Sequence, residues 1–288
     1  MAADTIPPRR MAYLERILTD RGCDPGMTCT DGSSARPMPR LLVLTDRTML
    51  PAGRDLVSTL RAAVEGGARA VVLRERDLPT PVRARLADQV QALLSPVGGV
   101  LLLASAAPPE ATSRPAGLHL RSADPIPATR LALLGRSTHS ADEVLHAAAE
   151  GCDYLTLSPV APTRSKPGYG PSLGAAGFGS VLAQARRVRR PLPAVFALGG
   201  VDEHNVASFL QAGAHGVAVM GSVMSSPDPA RTVAALLAKV GGPGACGGGH
   251  VIGYATTPPV ELRIASAEAA DRSVICTTRQ PPPTRRTS

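Results

Sequence analysis

The 288-residue chain has no tryptophan, and aromatic residues make up only 2% of it. Platforms for single-stranded nucleic acid are built on aromatic faces, so the composition argues against that class of partner. Long apolar runs are missing too. No stretch approaches the roughly 18 residues of a membrane-span candidate, and the opening Met-Ala-Ala-Asp-Thr-Ile-Pro-Pro-Arg-Arg lacks a hydrophobic signal core. The five cysteines (Cys23, Cys29, Cys152, Cys246 and Cys276) show no metal-ligand spacing. An odd count without a framework reads as a reducing compartment. The expectation is a cytoplasmic protein with neither a membrane nor a nucleic-acid partner; oligomeric state is unreadable.

What is present is small and aliphatic. Hydrophobic residues reach 44%, and with so few aromatics Ala, Val and Leu must fill the interior. Such cores suit parallel α/β folds, whose buried strands read as continuous aliphatic runs. The net charge of +8 is spread along the chain, with Arg outnumbering Lys. Isolated guanidinium and ammonium groups among glycine loops suit an anionic small ligand.

Composition divides the chain into three zones. Residues 1–37 mix charge, Pro and Gly, and residues 241–288 run from a glycine-rich start to Pro-Pro-Pro-Thr-Arg-Arg-Thr-Ser; both read as disordered extensions. Between them, over 38–240, eight aliphatic runs stand out: Leu41–Thr45, Ala70–Arg74, Gly99–Leu103, Gly117–Leu120, Leu133–Ser137, Tyr154–Ser158, Ala194–Leu198 and Gly216–Met220. Helical patterns separate most of them, at Gly53–Glu65, Val82–Leu94, Ser140–Glu150, Leu173–Arg186, His204–Ala212 and Pro229–Lys239. The spacer Ala106–Ala116 holds three prolines, so any helix there is short or absent. Eight strand–helix units in about 200 residues predict a single (β/α)8 TIM barrel. The competing open doubly wound sheet needs a glycine fingerprint after its first strand, and Leu44-Thr45-Asp46-Arg47-Thr48 has none.

In such barrels chemistry sits at the carboxyl ends of the strands. Strand period places Val72, Arg74 and Arg76 on one face, and if that face points inward two guanidinium groups enter the mouth; the plainer reading is a salt-bridged rim. His119 within the fourth run reads as a core or supporting histidine, with Asp124 beyond it. Ser137 and His139 follow the fifth run, where His139 is either a helix-end residue or a proton carrier. His146, His204 and His215 read as structural or surface residues. The loop Ser158–Pro171 brings Thr163, Ser165 and Lys166, donors able to fold over an anion. Gly199-Gly200 and Gly221-Ser222 end the last two runs, and glycines there let backbone N–H groups approach a phosphate closely.

These segments, in this order, resemble the thiamine phosphate synthase/TenI (thiazole tautomerase) superfamily. The resemblance spans about Leu41–Lys239 and rests on Leu44-Thr45-Asp46, Leu73-Arg74-Glu75-Arg76, Gly117-Leu118-His119-Leu120 and Gly135-Arg136-Ser137-Thr138-His139-Ser140. It continues through Asp153-Tyr154-Leu155, Ser158–Lys166, Ala197-Leu198-Gly199-Gly200-Val201 and Gly213–Met220. It implies an enzyme of thiamin biosynthesis that binds a thiazole phosphate at Gly199, Gly200, Gly221 and Ser222, with Arg76 and Thr163–Lys166 as further anion contacts.

Two reactions are implied. A synthase joins hydroxymethylpyrimidine diphosphate to a carboxylated thiazole phosphate, releasing pyrophosphate and carbon dioxide with Mg2+. A tautomerase shifts a proton on the thiazole and needs no cofactor. Synthases typically carry Gln-Leu-Arg-Glu-Lys at the second strand and Asn-Asp after the third. Here Val72 and Arg76 stand at the Gln and Lys positions and Ala104-Ser105 at the pair, leaving Asp124 as the surviving Mg2+ carboxylate. These departures favour a tautomerase, with His139 moving the proton, Arg74 or Arg76 facing the carboxylate and Ser137 positioning substrate or imidazole. The synthase is the alternative, and a non-catalytic binder that senses a thiamin intermediate is the second.

Overall fold

The structure is a computed structural model and describes residues 38–105, 115–128, 131–163 and 171–241. The extensions expected at 1–37 and 241–288 lie outside these residues, Gly241 excepted, as do Ser165 and Lys166. Eight strands form the frame: β1 (Leu41–Leu44), β2 (Ala70–Leu73), β3 (Val100–Leu103), β4 (Gly117–Leu120), β5 (Leu133–Thr138), β6 (Tyr154–Leu157), β7 (Ala194–Leu198) and β8 (Gly216–Val219). They pair in sequence order, all parallel, and β8 closes on β1 through Leu41–Val217, Leu42–Ala218 and Val43–Val219. The closed (β/α)8 barrel excludes the open sheet. Each expected strand bound falls within one residue of the observed one, because pairing stops where the aliphatic run gives way to polar residues.

The helices are α1 (Leu56–Glu65), α2 (Thr80–Leu94), α3 (Ala141–Ala149), α4 (Gly174–Val188), α5 (Val206–Gln211), the short α6 (Gly221–Met224) and α7 (Pro229–Val240). Caps set their starts. Asp55 accepts the Ser58 N–H at 2.9 Å, so α1 begins at Leu56 rather than at Gly53 as expected. Ser140 accepts from Glu143 at the head of α3, and Asp228 accepts from Arg231 at the head of α7, where Pro229 sits in the first turn. The sequence reading places no helix at Gly221-Ser222, and α6 is an addition.

Strand alternation sorts the core into two layers. Leu42, Leu44, Val72, Leu102, Tyr154 and Phe196 point into the lumen, whereas Leu41, Val43, Val71, Leu101, Leu155 and Val217 face the helices. Tyr154 and Phe196 meet edge to face, with centroids 6.0 Å apart. Gly135 makes room for the tyrosine, since a Cβ there would lie 2.0 Å from its Cζ. His215 corrects its surface reading: it is half-buried, its Nε2 is 3.2 Å from the Met38 carbonyl, and its ring packs on Phe196. Among the described residues no helix is long and apolar enough to cross a membrane.

Candidate active site

Extending the inward alternation past the strand ends lines a cavity of about 650 Å3 at the carboxyl mouth. Every described residue singled out in the sequence for the site, Asp124 excepted, lies on its wall: Arg74, Arg76, Ser137, His139, Thr163, Gly199, Gly200, Gly221 and Ser222. A volume of this size is in the usual range for small-molecule sites.

The β2 end shows why the arginines face in. Glu75 between them turns to the other side, where it is buried and accepts from Arg47 N–H at 3.2 Å and Arg47 Nη1 at 3.0 Å. Arg74 is fixed at its backbone by the Thr45 hydroxyl at 2.9 Å, lies 3.6 Å from Asp46, and reaches across to the Met220 sulfur beyond β8. Arg76 bends the other way, and its Nη1 stands 3.9 Å from Asp124 Oδ2 beyond β4. Two strand spacings, about 10 Å, separate β2 from β4. The crossing is open because the inward residue at the end of β3 is the small Ala104. The arginines are thus both salt-bridged and cavity-lining.

His119 sits in a buried polar chain. Its Nδ1 is 3.1 Å from the Tyr154 hydroxyl and its Nε2 is 3.0 Å from Ser137 Oγ. Burial pushes the phenol of Tyr154 well above its ordinary range, so the hydroxyl keeps its proton. Burial, then the nearby Arg74 cation, lowers the imidazole to about 4, so it is neutral at working pH. With no second partner among the described residues, Tyr154 must donate to Nδ1. The ring proton is then on Nε2 and donates to Ser137 Oγ. The Ser137 hydroxyl is left to donate into the cavity.

His139 precedes the Ser140 cap, and its backbone N–H donates to Glu143 Oε2 at 3.0 Å. Its Nδ1 is 2.7 Å from the Ser158 carbonyl. A carbonyl only accepts, so Nδ1 carries the hydrogen and a neutral ring keeps its lone pair on Nε2.

The opposite wall is glycine. Gly199 and Gly200 have φ of 100° and 66°, a left-handed backbone that strains other residues. The space is closed as well, since a Cβ on Gly200 would lie 2.3 Å from the Pro162 carbonyl oxygen. Among the described residues no protein acceptor takes the N–H groups of Gly199, Gly200, Gly221 or Ser222, and the buried Ser222 Oγ has no hydrogen bond. Clustered free donors of this kind suit a phosphate.

Sequence reasoning missed three parts of the site. Arg121 and Ser122 line the cavity beyond β4; the period running inward through His119 also reaches Arg121, but was not carried past the strand end. Tyr154, 35 positions from His119, gave no local signal. Arg136, pointing outward and buried, holds the carbonyls of Arg121, Ser122 and Asp124 at 2.8–2.9 Å and lies 3.0 Å from Glu150. It fixes the turn that carries Arg121. His146, read as structural, is exposed on its helix beside Glu150, and His204 is exposed beside Glu203, as its surface reading requires.

The chain is similar to known proteins. The family model described as thiamine monophosphate synthase matches residues 41–223. A putative thiamine-phosphate synthase of Geobacter sulfurreducens is 35% identical over 204 residues, covering 69% of this chain and 92% of that protein. A thiamine-phosphate synthase of Thermosynechococcus vestitus is 34% identical over 191 residues, 64% of this chain, and the match spans only 52% of that longer protein. The solved thiamine phosphate pyrophosphorylase of Pyrococcus furiosus superposes with a TM-score of 0.58 at 25% identity, covering 72% of this chain and 97% of that one. The barrel, its ordered mouth residues and these matches agree: the chain belongs to the thiamine phosphate synthase/TenI superfamily of thiamin-biosynthesis enzymes.

Proposed function

We propose that the protein is a thiamine-phosphate synthase, the reading set second at the sequence level. The observation that carries it is a cavity of about 650 Å3 with hydrogen-bond donors gathered at two ends. One is the glycine wall of β7 and β8; the other, at β2 and β4, carries Arg76 and Arg121 with the Ser137 hydroxyl. Arg74 stands between them. Two anionic substrates fit two poles, whereas the tautomerase's single thiazole carboxylate phosphate leaves the far pole without a ligand. The names of the relatives point the same way.

In this reading the thiazole phosphate rests on Gly199, Gly200, Gly221 and Ser222 beside Thr163, while the expected contacts Ser165 and Lys166 lie outside the described residues. Its carboxylate faces Arg74, a bidentate pairing. The pyrimidine's diphosphate lies against Arg76 and Ser137. The methylene C–O bond breaks and its electron pair departs with pyrophosphate, while the thiazole nitrogen forms the new C–N bond. The carboxylate leaves as carbon dioxide, and its electron pair on the ring carbon takes a proton from water. Negative charge grows on the leaving oxygen, where the Ser137 donor and guanidinium groups stabilise it without reorganising. The test is incubation of purified protein with both substrates, following pyrophosphate and thiamine phosphate. Both should appear in equal amounts, and absence of both overturns the reading.

A tautomerase is favoured by one feature, the Nδ1–H of His139 fixed on Ser158, which presents Nε2 as a base. Aromatisation of the thiazole carboxylate phosphate, lost in His139→Asn while no thiamine phosphate forms, would establish it instead. Tight binding of both substrates without either reaction would leave the ligand sensor.

A further inference from the structure

The synthase implied by the resemblance holds Mg2+ with acidic residues after the third and fourth strands. The described residues do not fit that ion. Ala104-Ser105 ends β3 without a carboxylate, and among the described residues no group of three His, Cys, Asp or Glu is placed around a metal. Asp124 is already engaged, by the Arg121 N–H at 2.9 Å and by Arg76 at 3.9 Å, so a divalent cation would enter beside a guanidinium group. Mg2+ demands near-octahedral oxygen ligands, and among the described residues this corner offers one shared carboxylate beside cations.

We infer that the diphosphate pole is held by the chain's own guanidinium groups, Arg76 and Arg121, with Arg121 as the cation standing where a divalent metal would act. The identity of the anion rests on the synthase reading; the clamp does not. Arg121 lines the cavity, and its guanidinium has no hydrogen bond or ion pair among the described residues. Its backbone is nevertheless immobilised on both sides, by Asp124 at the N–H and by the buried Arg136 at the carbonyl, with Arg136 itself against Glu150. A long cation on a backbone held this firmly is built to meet something. Arg76 repeats the signal, since its Nε is buried with no hydrogen-bond partner. Buried donors are almost always satisfied, and a phosphoryl oxygen supplies the missing acceptor in the bidentate geometry that guanidinium favours. Ser137 adds a hydroxyl donor of fixed polarity on the same side.

The experiment is calorimetric titration of the full chain with inorganic pyrophosphate, in chelator and in excess Mg2+, alongside the synthase assay. Metal-free binding should fall within about threefold of that with Mg2+, and Arg121→Ala should weaken it about tenfold or more, the loss of a charge-assisted contact. Arg121→Lys, keeping charge without the fork, should fall between, and circular dichroism should show all variants folded. Asp124→Asn, which keeps an acceptor for the Arg121 N–H and removes the carboxylate charge, should bind pyrophosphate as tightly as the parent or tighter. Binding that appears only with Mg2+, or is abolished in Asp124→Asn, or is unchanged in Arg121→Ala, overturns the clamp. If synthesis fails while metal-free pyrophosphate binding persists, the function falls and the clamp stands; if synthesis proceeds but pyrophosphate binds only with metal, the reverse holds.

Discussion

A single imidazole decides how the site presents a hydrogen-bond donor. His119 joins Tyr154 in the lumen to Ser137 at the mouth, and its protonation would reverse the chain by placing a second hydrogen on Nδ1 against the tyrosine hydroxyl. The folded protein resists this, holding the group at about 4 against an ordinary 6.5. Between those values the unfolded chain binds a proton that the folded chain refuses, so stability rises with pH across the window. The contribution is complete above pH 6.5 and lost as pH falls towards 4, amounting to roughly 3 kcal/mol at 1.36 kcal/mol per pK unit. Urea unfolding at pH 7 and pH 4.5 measures it. The loss on acidification should be smaller in His119→Gln than in the parent by about that amount; equal losses would mean that His119 does not set the window.

At the level of strands and the turns after them, the sequence was most readable where burial is continuous. Aliphatic runs announced every strand, and Arg74 and Arg76 were legible because period two carries through Val72. Arg121 was not, because a polar turn follows β4 and nothing local says that Arg136 on β5 will hold its carbonyl. Contacts across strands depend on register and closure, which no single segment contains. Gly199-Gly200 was legible as a phosphate loop, but the second constraint on it, the Pro162 carbonyl against Gly200, belongs to the loop after β6. That constraint makes a prediction with its own control. Gly53 also has positive φ, 78°, but a Cβ there meets nothing within 4 Å. Gly53→Ala should therefore cost only the left-handed strain, about 1–2 kcal/mol. Gly200→Ala carries similar strain and must also push Ala161 and Pro162 away, so it should cost about 1–3 kcal/mol more and raise the KM for the thiazole phosphate. Urea midpoints and substrate titration separate the two, and equal costs with unchanged KM would remove the loop contact from the site.

Closure of the whole cylinder is what turns scattered donors into two poles. In a ring of eight strands β4 stands across from β8, so Arg121 and the glycines at 221 and 199–200 face each other over the cavity, with Arg74 reaching from β2 to Met220 between them. An open sheet of the same strands would spread these groups along an edge, and one anion would be the natural ligand. In the barrel, hydroxyethylthiazole phosphate and pyrophosphate should bind together. Each at a hundred times its dissociation constant stabilises the folded state by about 2.7 kcal/mol, which for a domain of this size raises the melting temperature by roughly 5–10 °C. Because the poles are separate, the shift with both ligands present should approach the sum of the two single shifts. A combined shift no larger than the greater single one would mean that the anions compete for one place. The mouth would then be a single phosphate site with surplus arginines on its rim, and the two-substrate reading would lose the geometry on which it stands.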